Sequence, residues 1–317
     1  MAASKRSACI PTLVLPSNPA ASRRRWRRDP GFPCDLKIAR ARRELVVEHG
    51  LQKERHMIRS FRNFGMVQAL TIAAYALFLL TPTWALDRLA LWKLVNDRCF
   101  PRFLASKDPS PCESVDLRDA SEGTAILKDA IGATHFLAIP TRQVQGIESP
   151  EVLNPSAPNW FARAWNARRF VFARLGKTLP REAVGLAINS QISRSQDQLH
   201  IHIDCVKIDV ANALVGARGI GPDWSDAPLV ILGKTFAARR LDQPELDGIN
   251  PFRLVASGPA ALARWDMGHA TIVIVGVTLV GGVEGFVLLA GHSDTAADWA
   301  HGSDLLDRSC AIANNYR

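Results

Sequence analysis

Residues 87–317 predict an α+β fold built on an antiparallel sheet with flanking helices. Strand-like and helix-like segments follow one another without the regular βαβ order of a parallel sheet. Short glycine turns separate two pairs of strand segments, at Ile131-Gly132-Ala133 and at Gly281-Gly282. Such turns join neighbouring antiparallel strands. We therefore expect hairpins within the sheet.

Seven strands and three helices are predicted in this part of the chain. The strands cover residues 124–129, 134–139, 183–189, 198–207, 235–239, 271–277 and 285–290. The first helix has Ser156 as its candidate cap, Pro158 in its first turn and Gly176 at its end. Its apolar stripe includes Trp160, Phe161 and Trp165, which we expect in the core. Two further helices are expected over residues 259–265 and 294–313.

The positive charge of the chain lies almost entirely in its first 63 residues. They carry 15 Lys/Arg against 5 Asp/Glu, whereas the rest carries 24 against 25. A basic arm for nucleic acid is one interpretation of residues 1–63. A start codon assigned too far upstream is the alternative, because Met57 opens a better signal-like N-terminus. The neutral body gives no reason to expect nucleic-acid binding by the folded part.

Residues 64–86 are predicted to be a membrane segment. They contain no charged residue, and Arg59 and Arg62 precede them. The positive-inside rule then places the N-terminus in the cytoplasm and exports residues 87–317. A single-pass anchor and a cleaved signal peptide both fit, with Thr83-Trp84-Ala85 as a passable cleavage site. No other stretch is apolar enough to cross a bilayer, which excludes a polytopic membrane protein.

Four cysteines of the exported part support an oxidising compartment. Cys99 and Cys112 bracket a short proline-containing loop, so a local disulfide between them is natural. That pairing leaves Cys205 to Cys310, which would tie the chain end to its middle. Four unpaired thiols are the alternative that a cytosolic location would give.

The chemically richest segment is the strand of residues 198–207. Strand alternation places Gln198, His200, His202 and Asp204 on one face and apolar residues on the other. Upstream, a polar loop offers Asn189, Ser195 and Gln196 as phosphate ligands, with Arg194 beside them. A neutral imidazole next to a bound phosphate is a competent nucleophile.

A zinc site is the competing interpretation of the two histidines. His-x-His on a strand is common in zinc enzymes. His269, His292 and His301 are available as a third ligand, but none stands in a ligand-spaced motif. No Walker loop, GxGxxG or GxSxG is present.

Asn189, Ser195-Gln196 and His200-Ile-His202-Ile resemble the active-site loop and strand of the histidine-triad superfamily. Over residues 90–317 the chain resembles the CDP-diacylglycerol pyrophosphatase family. The stretches that carry this resemblance are Phe136-Leu-Ala-Ile-Pro-Thr141, Gly146-Ile-Glu-Ser-Pro150, Pro158-Asn-Trp-Phe161, Ala187-Ile-Asn-Ser190, the segment 199–205, Ala237-Ala-Arg-Arg240 and Met267-Gly268.

The resemblance implies a nucleophilic histidine, and its identity depends on register. The superfamily spacing of asparagine, glutamine and first histidine is kept by Asn189, Gln196 and His200. His202 is then the nucleophile, and Asp204 stands where a third histidine is usual. A register shifted by two residues makes His200 the nucleophile but loses the upstream spacing.

The implied reaction is hydrolysis of CDP-diacylglycerol to CMP and phosphatidate through a cytidylyl-histidine. The resemblance implies neither a cofactor nor a metal. Asn189, Ser195 and Gln196 would hold phosphate oxygens, with Arg142 as a weaker candidate. The protein would sit in a bacterial inner membrane with its catalytic domain on the periplasmic side, and a homodimer stays open. The incomplete triad leaves one alternative from another class, an exported lipid- or nucleotide-binding module without turnover.

Overall fold

The computed structural model describes residues 87–117, 123–258, 266–292 and 301–316. They form an α+β fold whose nine strands make one antiparallel sheet in the order β1-β2-β3-β5-β4-β8-β9-β7-β6. The strands are β1 (Ser114–Leu117), β2 (Gly123–Lys128), β3 (Phe136–Pro140), β4 (Val184–Ile188), β5 (Ile201–Cys205), β6 (Leu229–Ile231), β7 (Lys234–Leu241), β8 (Ala270–Thr278) and β9 (Glu284–His292). The predicted antiparallel sheet is confirmed.

All seven predicted strands are present, and two short edge strands were missed. β1 has four residues and β6 has three, too few for a periodic pattern to be visible in the sequence. The strand predicted over residues 198–207 is shorter than expected. It begins at Ile201 because Gln198 and Leu199 instead bond the segment after β3, where the amide N–H of Leu199 donates to the carbonyl of Val144.

In the described residues, six short α-helices flank the sheet. They are α1 (Ala90–Leu94), α2 (Phe100–Ser106), α3 (Trp160–Asn166), α4 (Arg168–Leu175), α5 (Ile208–Ala213) and α6 (Pro251–Ala256), and a π-helical turn (Val95–Cys99) joins the first two.

The helix predicted to end at Gly176 is two helices, α3 and α4. The break between them lies at Ala167. Beside it, the Arg168 guanidinium donates a hydrogen bond to the Trp165 carbonyl. The predicted cap Ser156 is wrong, because Asn159 caps α3 by accepting from the amide N–H of Ala162. The side chain of Ser156 instead bonds Asn154.

The helix predicted over residues 294–313 is wrong in its described part. Residues 301–316 contain only two 3₁₀ turns, Gly302–Leu305 and Ala311–Asn315. Cys310 has a positive φ of 53° and is bonded to Cys205, so the chain cannot continue as a helix through it. The helix predicted over residues 259–265 lies outside the described residues.

The sheet separates two hydrophobic clusters. Trp160, Phe161 and Trp165 are buried on one face, against the face of β5 that carries Ile201 and Ile203, as predicted. On the other face a smaller cluster joins α1 to β2 and β3. Each face of β5 is thus buried, and the histidine face lies at the edge of the smaller cluster.

Two disulfides, Cys99–Cys112 and Cys205–Cys310, tie loops to these clusters. This is the pairing predicted from the sequence. The first joins the residue before α2 to the loop after it, and the second attaches the C-terminal segment to β5. Both bridges are buried.

Within the described ranges, no helix is both long and apolar enough to span a bilayer. The predicted membrane segment, residues 64–86, and the basic segment before it lie outside those ranges.

Candidate active site

A cleft of about 550 Å³ opens at the start of β5. It lies between α1, the turn after β2, the loop that follows β4 and the C-terminal segment. Its polar and titratable lining residues are Asp129, Asn189, Ser193, Ser195, Gln196, His200, His202, His301, Ser303, Asp304 and Arg308. The structure thus brings five predicted site residues, Asn189, Ser195, Gln196, His200 and His202, into one cleft.

His200 lies directly before β5, and its imidazole is held by one backbone contact. Its Nδ1 is 2.7 Å from the carbonyl oxygen of Gln198. A carbonyl only accepts, so the proton is on Nδ1 and Nε2 keeps its lone pair. Among the described residues, no hydrogen-bond partner reaches Nε2. Burial lowers the pKa of His200 below its usual value, so the ring is neutral at pH 7.

His202 follows two residues later and has contacts at both ring nitrogens. The amide N–H of Ser303 donates to Asn189 Oδ1 at 3.1 Å, which fixes the orientation of that side-chain amide. Asn189 Nδ2 therefore faces His202 Nε2, at 3.4 Å, and that nitrogen must be the acceptor. The proton of His202 is then on Nδ1. Burial holds the pKa of His202 well below its usual value.

His135, directly before β3, completes a row with Asp129. Its Nε2 is 2.8 Å from His202 Nδ1 and accepts that proton. Its Nδ1 is 3.2 Å from Asp129 Oδ2, close but poorly aligned for a hydrogen bond. Burial lowers the pKa of His135 to about 4, against the opposing attraction of Asp129. Asp129, His135 and His202 thus form a row in which the carboxylate is half-buried and both imidazoles are buried.

Sequence analysis gave no role to His135. It lies within the predicted strand of residues 134–139, but a contact with His202 depends on how β3 and β5 pair. The observed register places Leu137 opposite His202, which brings the start of β3 beside the histidine face. Only that register could have revealed the residue.

Asp204 does not reach the cleft. Thr134 Oγ1 and the Cys205 amide N–H donate to its Oδ1 at 2.6 and 2.8 Å. The residue is fully buried, and burial raises the pKa of Asp204 to about 7 despite these bonds. If His202 is the nucleophile, Asp204 occupies the position of the third histidine. That position therefore lies beneath the site, out of reach of the cleft.

The loop after β4 is held by a network of charges around Arg194. Its guanidinium donates to both carboxylate oxygens of Glu148, at 2.5 and 2.6 Å, and to Asp197 at 3.0 Å. Asp197 in turn pairs with Arg88 at 2.7 Å. The side chain of Arg194 is only 3% exposed. This arginine builds the loop, since its charge is already matched by carboxylates.

Gln196 and Arg142 take positions that the sequence did not predict. The side chain of Gln196 links the loop to α1 by accepting from the Leu91 amide N–H. Arg142 is not among the residues that line the cleft, and its guanidinium lies 5.8 Å from the centre of the Trp160 ring.

Arg308 is the one Lys or Arg that lines the cleft within the described ranges. Its carbonyl accepts from the Ala133 amide N–H, and the Cys205–Cys310 disulfide anchors the segment two residues later. Sequence analysis missed it because it falls within the helix predicted over residues 294–313. The Cys310 pairing was the available signal, since it carries the neighbouring residues to β5.

One side of the cleft is apolar. Its lining residues there are Ala90, Leu91, Leu94, Leu127, Ile131 and Leu137. Ile131, at the tip of the β2–β3 turn, is 61% exposed. The cleft therefore places a row of neutral imidazoles beside a surface that suits hydrocarbon.

Asp129, His135 and His202 also have the composition of a metal site. One ligand atom from each lies within 4.8 Å of the others. However, His135 Nε2 and His202 Nδ1 already bond each other, and a cation between them would have to displace that proton. As arranged, these residues fit a hydrogen-bonded row better than a metal centre.

Comparisons with known proteins agree with the geometry. The sequence profile of the CDP-diacylglycerol pyrophosphatase family matches residues 86–314. A protein of Yersinia pestis named CDP-diacylglycerol pyrophosphatase is 37% identical over 225 residues, which cover 70% of this chain and 84% of that protein. The chain therefore belongs to the CDP-diacylglycerol pyrophosphatase family, enzymes that hydrolyse a diphosphate bond.

Proposed function

We propose that this protein hydrolyses CDP-diacylglycerol to CMP and phosphatidate, with His200 as the nucleophile. The observation that carries the proposal is the state of His200, a neutral ring with its proton held on Nδ1 and its Nε2 lone pair without a described partner at the cleft. A histidine that attacks phosphorus needs both features.

The sequence spacing favoured His202 as the nucleophile, but the geometry of the cleft favours His200. His202 Nε2 already faces the amide of Asn189, whereas the cleft side of His200 is unoccupied by such a donor. The shifted register also explains Asp204. With His200 as the nucleophile, His202 stands at the third histidine position, and the buried Asp204 needs no catalytic role.

In the first step, His200 Nε2 attacks the phosphorus that bears cytidine. An N–P bond forms and the bond from that phosphorus to the bridging oxygen breaks. Phosphatidate leaves as a phosphate monoester, which needs little help from an acid. In the second step, water attacks the same phosphorus, the N–P bond breaks, and CMP leaves with His200 restored.

His202 is placed to assist the water step. Its Nε2 is unprotonated and can accept a proton from the attacking water. The resulting cation would be stabilised through Nδ1 by His135 and, beyond it, by the Asp129 carboxylate. This order resembles the way that a carboxylate orients a catalytic histidine in general-base catalysis.

Charge on the diphosphate would be met from several directions. Arg308 supplies a positive charge, and Ser195 supplies a neutral donor at the cleft. Asn189 positions His202, because its amide nitrogen already donates to Ser303 Oγ and faces His202 Nε2. Electrostatic stabilisation by fixed donors is usually a large part of catalysis of this kind.

The lipid part of the substrate would lie on the apolar side of the cleft. α1, which supplies Leu91 and Leu94, follows residue 86 closely in the chain. We propose that residues 64–86 anchor the protein in the inner membrane and hold the catalytic domain at its periplasmic surface. A lipid could then enter along α1 with its headgroup toward the histidines.

The test is CMP release by the full chain in mixed micelles of CDP-diacylglycerol and detergent, with and without a chelator. We expect release that survives chelation. Release abolished by chelation would instead favour a zinc phosphoesterase built on the Asp129, His135 and His202 cluster. Binding of the substrate with no CMP release would support a binding module and contradict the proposal.

A further inference from the structure

A second cavity, of about 640 Å³, lies on the other face of the sheet. The strand register establishes its position. Directly paired residues point to the same face, and one such row runs His202, Ala187, Val273, Leu289 and Ala238 across five strands. Arg239 follows Ala238 and therefore points to the opposite face. Four strand spacings separate it from the catalytic histidines, roughly 19 Å.

The lining of this cavity combines positive charge with an absence of carboxylates. Its described lining residues are Pro155, Ala157, Asn159, Arg239, Leu241, Gln243, Gly248, Ile249, Asn250, Arg253, Leu254 and Ser257. Two are arginines and none is acidic. Asp242 bonds Arg240, and Glu245 lies 3.8 Å from Arg168. Asp247, which precedes Gly248, lines a neighbouring pocket and is not among the residues that line this cavity.

Arg239 has an unusual environment for an arginine. It is half-buried on β7, and its Nε is fully buried with no hydrogen-bond partner in the described part of the chain. A buried guanidinium nitrogen without an acceptor is costly, and such groups commonly have an ion or ligand as their partner. Arg253, on α6, adds a second guanidinium at the same cavity.

Other polar side chains of the lining already serve the backbone. Asn159 donates to the carbonyls of Leu246 and Ile249, and Asn250 donates to the carbonyl of Val152. Ser257 donates to the carbonyl of Arg253. These bonds shape the cavity wall and leave the two guanidinium groups, together with the amide of Gln243, as the donors of the cavity.

We propose that this cavity binds a phosphate or phosphomonoester dianion through Arg239 and Arg253. Guanidinium groups bind phosphate oxygens in pairs, and two of them match the charge of a dianion. Inorganic phosphate, a nucleoside monophosphate and the headgroup of phosphatidate share this chemistry. The site is separate from the catalytic cleft and does not depend on the reaction proposed for it.

The experiment compares the full chain with Arg239→Gln, Arg253→Gln and the control Arg218→Gln, which replaces an exposed arginine outside both cavities. The thermal midpoint is measured with 0–100 mM phosphate at constant ionic strength. A site with a dissociation constant of about 1 mM should stabilise the native state by about 2.7 kcal/mol at the highest concentration. The catalytic cleft is intact in every variant, so its own contribution cancels.

We expect the phosphate-dependent gain to fall in both site variants and to persist in Arg218→Gln. Equal gains in all four proteins would overturn the proposal. Arg253→Gln keeps it falsifiable if Arg239→Gln does not fold, because Arg253 is exposed.

Sedimentation with phosphatidylcholine vesicles, with and without phosphatidate, identifies the source of the anion. If the site variants lose both the phosphatidate-dependent binding and the phosphate effect, the ligand is the phosphatidate headgroup. If they lose only the phosphate effect, the ligand is a soluble anion. Either result supports the site.

Discussion

The two polar walls of the catalytic cleft are built in different ways. The loop wall, residues 189–197, is held by Arg194, whose charge is matched by Glu148 and Asp197. The C-terminal wall, residues 301–310, is held by a disulfide to β5 and by backbone hydrogen bonds beside it, and it presents Arg308 to the cleft. Arg194, the arginine closest in sequence to the two histidines, is therefore structural. The charge available for substrate comes from the far end of the chain.

The largest expected effect is loss of the covalent anchor of the C-terminal wall. The Cys205–Cys310 bridge spans 105 residues, and the Cys99–Cys112 bridge spans 13. In the chain-entropy model these loops are worth about 4.7 and about 3 kcal/mol. Replacing Cys205 and Cys310 with serine should therefore lower the free energy of unfolding more than replacing the other pair. Denaturant unfolding of both variants measures this, and equal losses would contradict the ranking.

Removing the arginine that holds the loop wall should lower the free energy of unfolding by nearly as much. Arg194→Ala leaves Glu148 without its partner in a mostly buried position, and such losses typically cost about 3–5 kcal/mol. Denaturant unfolding should show this loss together with reduced activity. Arg88→Ala, which removes the exposed partner of Asp197, is the matched control and should cost less than 1 kcal/mol. Similar losses in the two variants would show that burial of the network is unimportant.

Arg308→Gln should leave stability nearly unchanged and reduce kcat/KM for CDP-diacylglycerol roughly 10–100-fold. The side chain is exposed and has no described partner to lose, but it is the positive charge at the cleft. Arg142→Gln, at an arginine outside the cleft, is the comparison. An equal effect on kcat/KM would mean that Arg308 does not act on the substrate.

The smallest effect concerns Asp204 and appears only as a pH dependence. The folded protein keeps a proton on this carboxyl up to about pH 7, whereas the unfolded chain releases it near 3.8. Its contribution to stability is therefore full below pH 3.8 and is lost as the pH rises to about 7. Asp204→Asn cannot ionise, so it should gain roughly 1–3 kcal/mol relative to the wild type between pH 4 and pH 8. If the free energy of unfolding of the two proteins changed with pH in the same way across that range, a raised pKa of Asp204 would be excluded.

Sequence analysis predicted the parts of the molecule that local patterns specify. Apolar runs bounded by turn residues located the seven longer strands, and period-two alternation along one of them located the face shared by His200 and His202. It could not provide His135 or Arg308, because their positions depend on which strands pair and on where a disulfide returns the chain. The same limit explains Arg142, which follows a predicted strand but points toward Trp160, away from the cleft.

Register is also the reason that the sequence favoured His202. The spacing from Asn189 and Gln196 assumes that both side chains serve the site directly. In the structure the Gln196 side chain accepts a hydrogen bond from α1. Its distance in sequence from the histidines therefore reflects how the loop is attached to α1. The surroundings of Nε2 separate the two candidates, because the Asn189 amide faces this nitrogen in His202 and no described partner reaches it in His200. Neither feature is visible in a sequence.

Intact-mass analysis after a rapid quench tests the central claim most directly. The full chain, His200→Ala and His202→Ala are each mixed with CDP-diacylglycerol, quenched, and mapped by peptide mass. We expect a cytidylyl adduct on His200, and its loss in His200→Ala together with a fall in kcat of about 10³-fold or more. In His202→Ala the adduct should persist, because the water step is slowed. An adduct on His202, present in His200→Ala and absent in His202→Ala, would contradict this expectation.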